Sequence, residues 1–241
     1  MRVGVYVDAF NLYYGMKRQL GTASGWKWID VRAWATRYAL WDGCHIDRIV
    51  YGTARVNDPS DPKQTQRQDF YLRALLEHNS ADVIEEGYYS SWAKESVLTT
   101  DPIGARVPQA LEDSHRQLHW SQGLPVRRTN QGLMLSTIRK REEKGSDVNV
   151  ATRLIVDVLE ARVDAAIVIS NDSDLALPIR VARNHVPTGV LNPSAKQLAG
   201  ALKGNRDDGV GGHWWRRIAP ADVQRSQLPD PVGANRRPPG W

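Results

Sequence analysis

Ala165-Ala166-Ile167-Val168-Ile169-Ser170-Asn171-Asp172-Ser173-Asp174 decides how this chain is read. Uninterrupted apolar residues followed at once by small polar and acidic ones describe a strand buried on both faces that stops at a polar edge. Helical patterns flank it. Residues 147–162 set Val148, Ala151, Leu154, Ile155, Val158 and Leu159 on one face. Residues 174–184 predict a helix interrupted at Pro178, followed by a short strand over 188–191 and a short helix over 195–202. The same alternation opens the chain. Residues 3–7 predict a strand that ends at Asp8 and turns towards Asn11. A helix over 29–41 with Asp30 as its N-cap, a strand over 46–56, a helix over 64–79 and a strand over 83–89 follow. Asn57-Asp58-Pro59-Ser60-Asp61-Pro62 is a loop. This β-α-β order predicts an α/β fold, a Rossmann-like, mainly parallel sheet with helices on both faces.

Periodicity fails between about residues 90 and 125, where Trp92, Pro102, Pro108, Trp120 and Pro125 stand among polar residues. That stretch reads as an irregular insertion. Leu133, Leu135, Thr137 and Ile138 then suit strands within 126–140. From Leu228 the chain carries Pro229, Pro231, Pro238 and Pro239 with Gly233 and Gly240. The expected organisation is one domain over 1–225 with an insertion at about 90–125, and a flexible Pro-rich tail over 226–241.

Composition narrows the class. With 41% hydrophobic and 24% charged residues of both signs, the chain is globular. No apolar run reaches the ~18–20 residues that span a bilayer, so no membrane partner is expected. The opening stretch is broken by Asp8 and reads as a first strand, not a signal peptide. A single cysteine, Cys44, forms no intrachain disulfide and no Cys-rich zinc site, which points to a reducing, cytoplasmic setting. A net charge of +5 favours a polyanionic partner.

Ligands of open parallel sheets collect at the carboxyl ends of the strands. Asp8 ends the first strand, and Asp172 and Asp174 follow the strand over 165–170. Asp147 opens a helix and shares a face with residues 151, 154, 155 and 158, which aims it at the sheet. An isolated carboxylate there is costly unless paired or metal-bound. Each acid also has an ordinary reading: Asp172 and Asp174 as helix caps, Asp147 as a helix-start residue, Asn11 as an Asx-turn former. Taken together, oxygen-only ligands suit Mg²⁺ or Mn²⁺, which activates water for attack on a phosphodiester.

The segments Val5-Tyr6-Val7-Asp8-Ala9-Phe10-Asn11-Leu12-Tyr13, Lys144-Gly145-Ser146-Asp147-Val148 and Ile169-Ser170-Asn171-Asp172-Ser173-Asp174 together resemble the NYN family (LabA-like proteins), relatives of PIN-domain nucleases. The resemblance implies a PIN-like sheet and an endoribonuclease in which Asp8, Asp147, Asp172 and Asp174 hold Mg²⁺ or Mn²⁺ and the attacking water. It also implies that Asn11 orients Asp8 or contacts substrate, and that Ser170 and Asn171 line the pocket. The sequence departs from the family's glycines at Ala9 and Asn171, the latter a residue that tolerates left-handed backbone.

Arg141 and Lys144, beside Arg139 and Lys140, are candidates for holding RNA phosphates, as is Arg55 after the second strand. Glu142 and Glu143 interrupt that patch, so an ordinary solvated charge run is the favoured reading. A haloacid-dehalogenase-like phosphatase needs an acid where Phe10 stands, and a dinucleotide-binding enzyme needs glycines where Asp8-Ala9-Phe10-Asn11 has none. The remaining rival is a non-catalytic RNA-binding or protein-interaction module of the same fold; a homo-oligomer is compatible with either.

Overall fold

The structure is a computed structural model that describes residues 1–23, 25–56, 61–102, 106–111 and 126–241. Of the expected loop, Asn57, Asp58, Pro59 and Ser60 lie outside the described residues, as do Trp120 and Pro125 of the expected insertion.

Eight strands, β1 (Arg2–Asp8), β2 (His45–Ala54), β3 (Val83–Val97), β4 (Val126–Arg128), β5 (Met134–Lys144), β6 (Ala165–Ile169), β7 (Thr188–Asn192) and β8 (Trp214–Arg217), form one sheet in the order β4-β5-β3-β2-β1-β6-β7-β8. The run from β3 through β8 pairs in parallel wherever its register is defined, whereas β4 and β5 pair antiparallel. The fold is therefore α/β with a mixed, mostly parallel sheet of Rossmann-like form. β1 lies at its centre, with Val5 beside Ile49 on one flank and Ile167 on the other.

Side chains of β1 and β6 alternate between two cores. Val3, Val5, Val7, Ala165, Ile167 and Ile169 point to one; Tyr6, Ala166 and Val168 point to the other. The first core is covered by α1 (Ala9–Leu20), α2 (Val31–Thr36), α3 (Pro62–Glu77) and α7 (Pro220–Arg225), through Leu12, Trp34, Leu72 and Val223 among others. The second is covered by α4 (Ser146–Leu159), α5 (Ala176–Arg183) and α6 (Gly200–Lys203), through Val150, Leu154, Ile179 and Leu202. Double coverage is what the unbroken apolar strands demand.

Several elements differ from expectation. α1 is unforeseen, because exposed Tyr13 and Tyr14 blur its apolar face and Gly15 is a weak helix former. Pro178 does not interrupt α5: as its third residue it lacks only an N–H that has no partner in the first turn. The helix expected over 195–202 is confined to Gly200–Lys203. α4 buries Ser146, Val150, Leu154, Asp157 and Val158, a face rotated from the expected one, and Val148 is 66% exposed. Asp157 is buried against Arg48 (2.8 Å) and Arg162 (3.3 Å) and accepts a hydrogen bond from the Tyr6 hydroxyl (3.2 Å), so its charge is fully answered.

The chain divides into two units, Met1–Tyr89 with Glu143–Trp241, and Ser90–Glu142. Within the second, the Glu95 carboxylate pairs with Arg127 at 2.5 Å and the Lys140 ammonium lies over the Trp92 ring. Within the first, the segment from Leu228 lies against the domain. Leu228 and Val232 are buried, Trp28 Nε1 donates to the Pro229 carbonyl at 2.9 Å, and Trp241 packs on Trp28 and Tyr71. No helix among the described residues is long and apolar enough to cross a membrane.

Candidate functional site

The chain leaves β1 towards β2 on one side of the sheet and leaves β6 towards β7 on the other. The two strands therefore diverge at their carboxyl ends, where open parallel sheets form their ligand crevice. A cavity of about 320 Å³ lies there, a size suited to one small molecule.

Asp8 closes β1 and is only 3% exposed. Its Oδ1 accepts from the Asn11 amide at 2.9 Å, capping α1, and its Oδ2 accepts from Ser170 Oγ at 2.8 Å. Burial pushes its carboxyl up from the ordinary range; the two hydrogen bonds oppose the shift, while Asp172 and Glu143 add to it. This acid thus has the structural duty of an N-cap. Asp8→Ala is expected to cost about 1–2 kcal/mol of stability in urea denaturation. Asp8→Asn, which still caps, should cost much less; equal losses would contradict the capping role.

Ser170 lies behind the cavity wall and does not line it. Its hydroxyl joins Asp8 to the Asp172 amide, from which it accepts at 3.0 Å. Asn171 does line the cavity; its amide donates to Asn11 Oδ1 at 2.9 Å, and its own Oδ1 accepts from the Ala199 amide. Asn79 and Ala161 are the non-glycine residues with positive φ among the described residues, so Asn171 needs no left-handed backbone. Asp172 caps the short turn Ser173–Leu175 by accepting from the Asp174 amide at 3.0 Å.

Asp147, in the first turn of α4, is half-buried, and its carboxylate has no hydrogen bond or ion pair among the described residues. Burial comes first in pushing its carboxyl up to about 7, followed by the charges of Asp8, Glu143, Asp172 and Asp174. Gly87 of β3 makes room for this helix start, since a Cβ there would fall 2.4 Å from the Lys144 carbonyl. Both Asp147 and Asp157 lie on α4; Asp157 faces two arginines, whereas Asp147 faces no paired cation among the described residues.

Four acids, Asp8, Glu143, Asp147 and Asp172, form one wall of the cavity, and Glu143 was not foreseen as part of it. Its sequence setting, a mixed charge run, gave no sign of that place. Arg18 of α1 and Lys196 of the loop after β7 also line the cavity; neither was foreseen, Arg18 because α1 was unrecognised. Asp174 is exposed and does not line the cavity. Lys144 is exposed and also off the wall, and Arg141 belongs to the second unit. Arg55 is bound to Asp69 and Glu86 and does not line the cavity.

No family model matches the chain. It is 27% identical to the 6-hydroxy-3-succinoylpyridine 3-monooxygenase HspA of Pseudomonas putida (strain DSM 28022 / S16), aligned over 100% of this chain and 75% of that protein. A solved structure of a protein of unknown function from Vibrio parahaemolyticus RIMD 2210633 covers 90% of this chain and 93% of its own, with a TM-score of 0.44 and 15% identity.

These findings correct the expectation of a metal-dependent ribonuclease. The similarity, along the whole of this chain and 75% of the relative, is to a protein named as a monooxygenase, not a nuclease. Mg²⁺ and Mn²⁺ fall with it, because among the described residues no group of three or more His, Cys, Asp or Glu is arranged to hold a metal ion. The physical reason is visible in the acids themselves. Asp8 spends both oxygens on Asn11 and Ser170, Asp172 spends one on a cap, and Asp174 lies off the wall.

Proposed function

We propose that the chain is an oxidoreductase of the monooxygenase kind that acts on a small aromatic acid in this cavity, with Asp147 as proton acceptor. The observation that carries the reading is Asp147 itself: a half-buried carboxylate, without a cation partner among the described residues and poised near neutrality, in a cavity of small-molecule size. The similarity along the whole chain to a 6-hydroxy-3-succinoylpyridine 3-monooxygenase supports the reaction class. A hydroxypyridine carries an exchangeable proton. Its removal by Asp147 raises electron density on the ring carbons that oxygen attacks. Monooxygenation places one atom of O₂ in the organic product and sends the other to water, with electrons drawn from a reduced co-substrate.

The first βα turn does not fit the pyrophosphate of a dinucleotide. Asp8 already occupies the amide end of α1, residues 8–11 contain no glycine, and the neighbouring wall is acidic. No step is therefore routed through a dinucleotide at that turn. We further infer that the chain shares the PIN-like arrangement of strand-end acids found in the NYN family, since the three resembling motifs supply Asp8, Asp147 and Asp172 to one wall. Cys44, free and half-buried, fits a reducing, cytoplasmic setting.

Oxygen uptake in the presence of 6-hydroxy-3-succinoylpyridine and a reduced nicotinamide is the direct test. Uptake that depends on both substrate and protein is expected. Its absence across a set of hydroxylated aromatic acids, with nicotinamide or flavin donors, would exclude the reading.

A further inference from the structure

The cavity is electrically polarised along α1. Phe10, Asn11, Tyr14, Gly15 and Arg18 follow one another at helical spacing and all line it. The strip starts beside the acidic wall and ends at a cation, roughly 10 Å along the helix for the seven rises from Asn11 to Arg18. Arg18 and Lys196 have no ion pair among the described residues, although several carboxylates line the same cavity. A pair of cations left unanswered beside an acidic wall marks a place for an anion brought by a ligand.

The backbone beneath these cations is firmly placed. A Cβ on Gly15 would lie 2.5 Å from the Pro193 carbonyl, so glycine alone lets α1 approach the loop after β7 this closely. Gln19 Nε2 donates to that same carbonyl at 2.7 Å. The buried side chain of Asn192 holds both ends of the loop: its Oδ1 accepts from the Ser194 amide at 2.8 Å, and its Nδ2 donates to the Lys196 carbonyl at 2.9 Å. The loop contributes Lys196 and α1 contributes Arg18 to the lining of the same cavity.

We infer that Arg18 and Lys196 anchor the carboxylate of the substrate, with the Phe10 and Tyr14 rings flanking its aromatic part and the acidic wall receiving its proton-bearing end. The inference rests on the reading of this cavity as the substrate site. It specifies a ligand class: a planar aromatic ring with an exchangeable proton at one end and a carboxylate on a short arm at the other. Orientation follows from charge, because a carboxylate turned the other way would face Asp8, Glu143, Asp147 and Asp172.

Calorimetric titration of 6-hydroxy-3-succinoylpyridine against its primary amide tests this on the intact chain. Wild type should bind the acid roughly tenfold or more tightly than the amide. In the Arg18→Gln, Lys196→Gln double variant that preference should collapse to less than about twofold with amide affinity unchanged. Both side chains are exposed, so folding is not at stake, and Arg18→Lys should restore most of the preference. Equal binding of acid and amide by wild type, preference retained in the double variant, or binding of neither ligand would overturn the assignment. Oxygen uptake without acid preference defeats the anchor alone; acid preference without oxygen uptake defeats the oxygenase reading alone.

Discussion

Asp147→Asn is expected to lower turnover by at least about 100-fold, the lower range of what a positioned general base contributes. Wild-type turnover should rise with pH along a limb centred near 7, the position to which burial and the surrounding acids push this carboxyl. The Asn variant should lose that limb. Stability moves the opposite way. An acid whose folded value lies above its unfolded value holds more protons in the native state between the two, so stability falls as pH rises from about 4 to about 7. Above pH 7 the ionised Asp147 burdens the fold, whereas Asn does not. The variant should therefore melt higher than wild type at pH 8, with the advantage shrinking towards pH 4. Thermal melts across that range, run beside pH–rate profiles, check both halves. A variant that keeps its activity would remove Asp147 from the reaction. One that loses activity and stability together at pH 8 would recast Asp147 as a structural residue.

Trp28→Ala is expected to cost about 3–5 kcal/mol, the range for emptying a fully buried aromatic site. Trp28 is completely buried, packs on Tyr71 and Trp241, and donates from Nε1 to the Pro229 carbonyl. Its removal leaves a large cavity and strips that carbonyl of its donor. The segment from Leu228 should then detach before the domain unfolds, because Trp28 is its central contact; buried Leu228 and Val232, Trp241 on Tyr71, and the Asn235 side chain on Glu77 at 2.7 Å also hold it. Limited proteolysis should cut the variant within 228–241 under conditions that leave wild type whole. A loss below about 1 kcal/mol, with unchanged cleavage, would show that Trp28 is not the clamp.

The tail illustrates why proline content misleads. Pro229, Pro231, Pro238 and Pro239 deny it regular structure, and the sequence reads as flexible. Irregular backbone can still be held by a neighbour, and here Trp28 supplies both a hydrogen-bond donor and an apolar surface from some two hundred residues away. The helical pattern of α4 put Asp147 at the end of its buried face; the face that is buried is rotated from that pattern, and the acid is half-buried. The pattern did not reveal that Asp157 lies deeper, because burying a charge depends on Arg48 and Arg162, which no local spacing announces.

Within the chain itself, Ala165 to Ile169 and the apolar run of β1 were enough to determine an α/β fold with a doubly covered parallel sheet and polar residues at its carboxyl edge. Side-chain alternation and strand length are local properties, and they survive without knowledge of neighbours. The meaning of the acids was decided only in three dimensions. Asp8 and Asp172 turned out to spend lone pairs on helix and turn caps, Asp174 to lie off the wall, and Glu143, Arg18 and Lys196 to complete a polarised cavity. A carboxylate's chemistry depends on what faces it, and those partners come from distant strands and loops that only tertiary packing brings together.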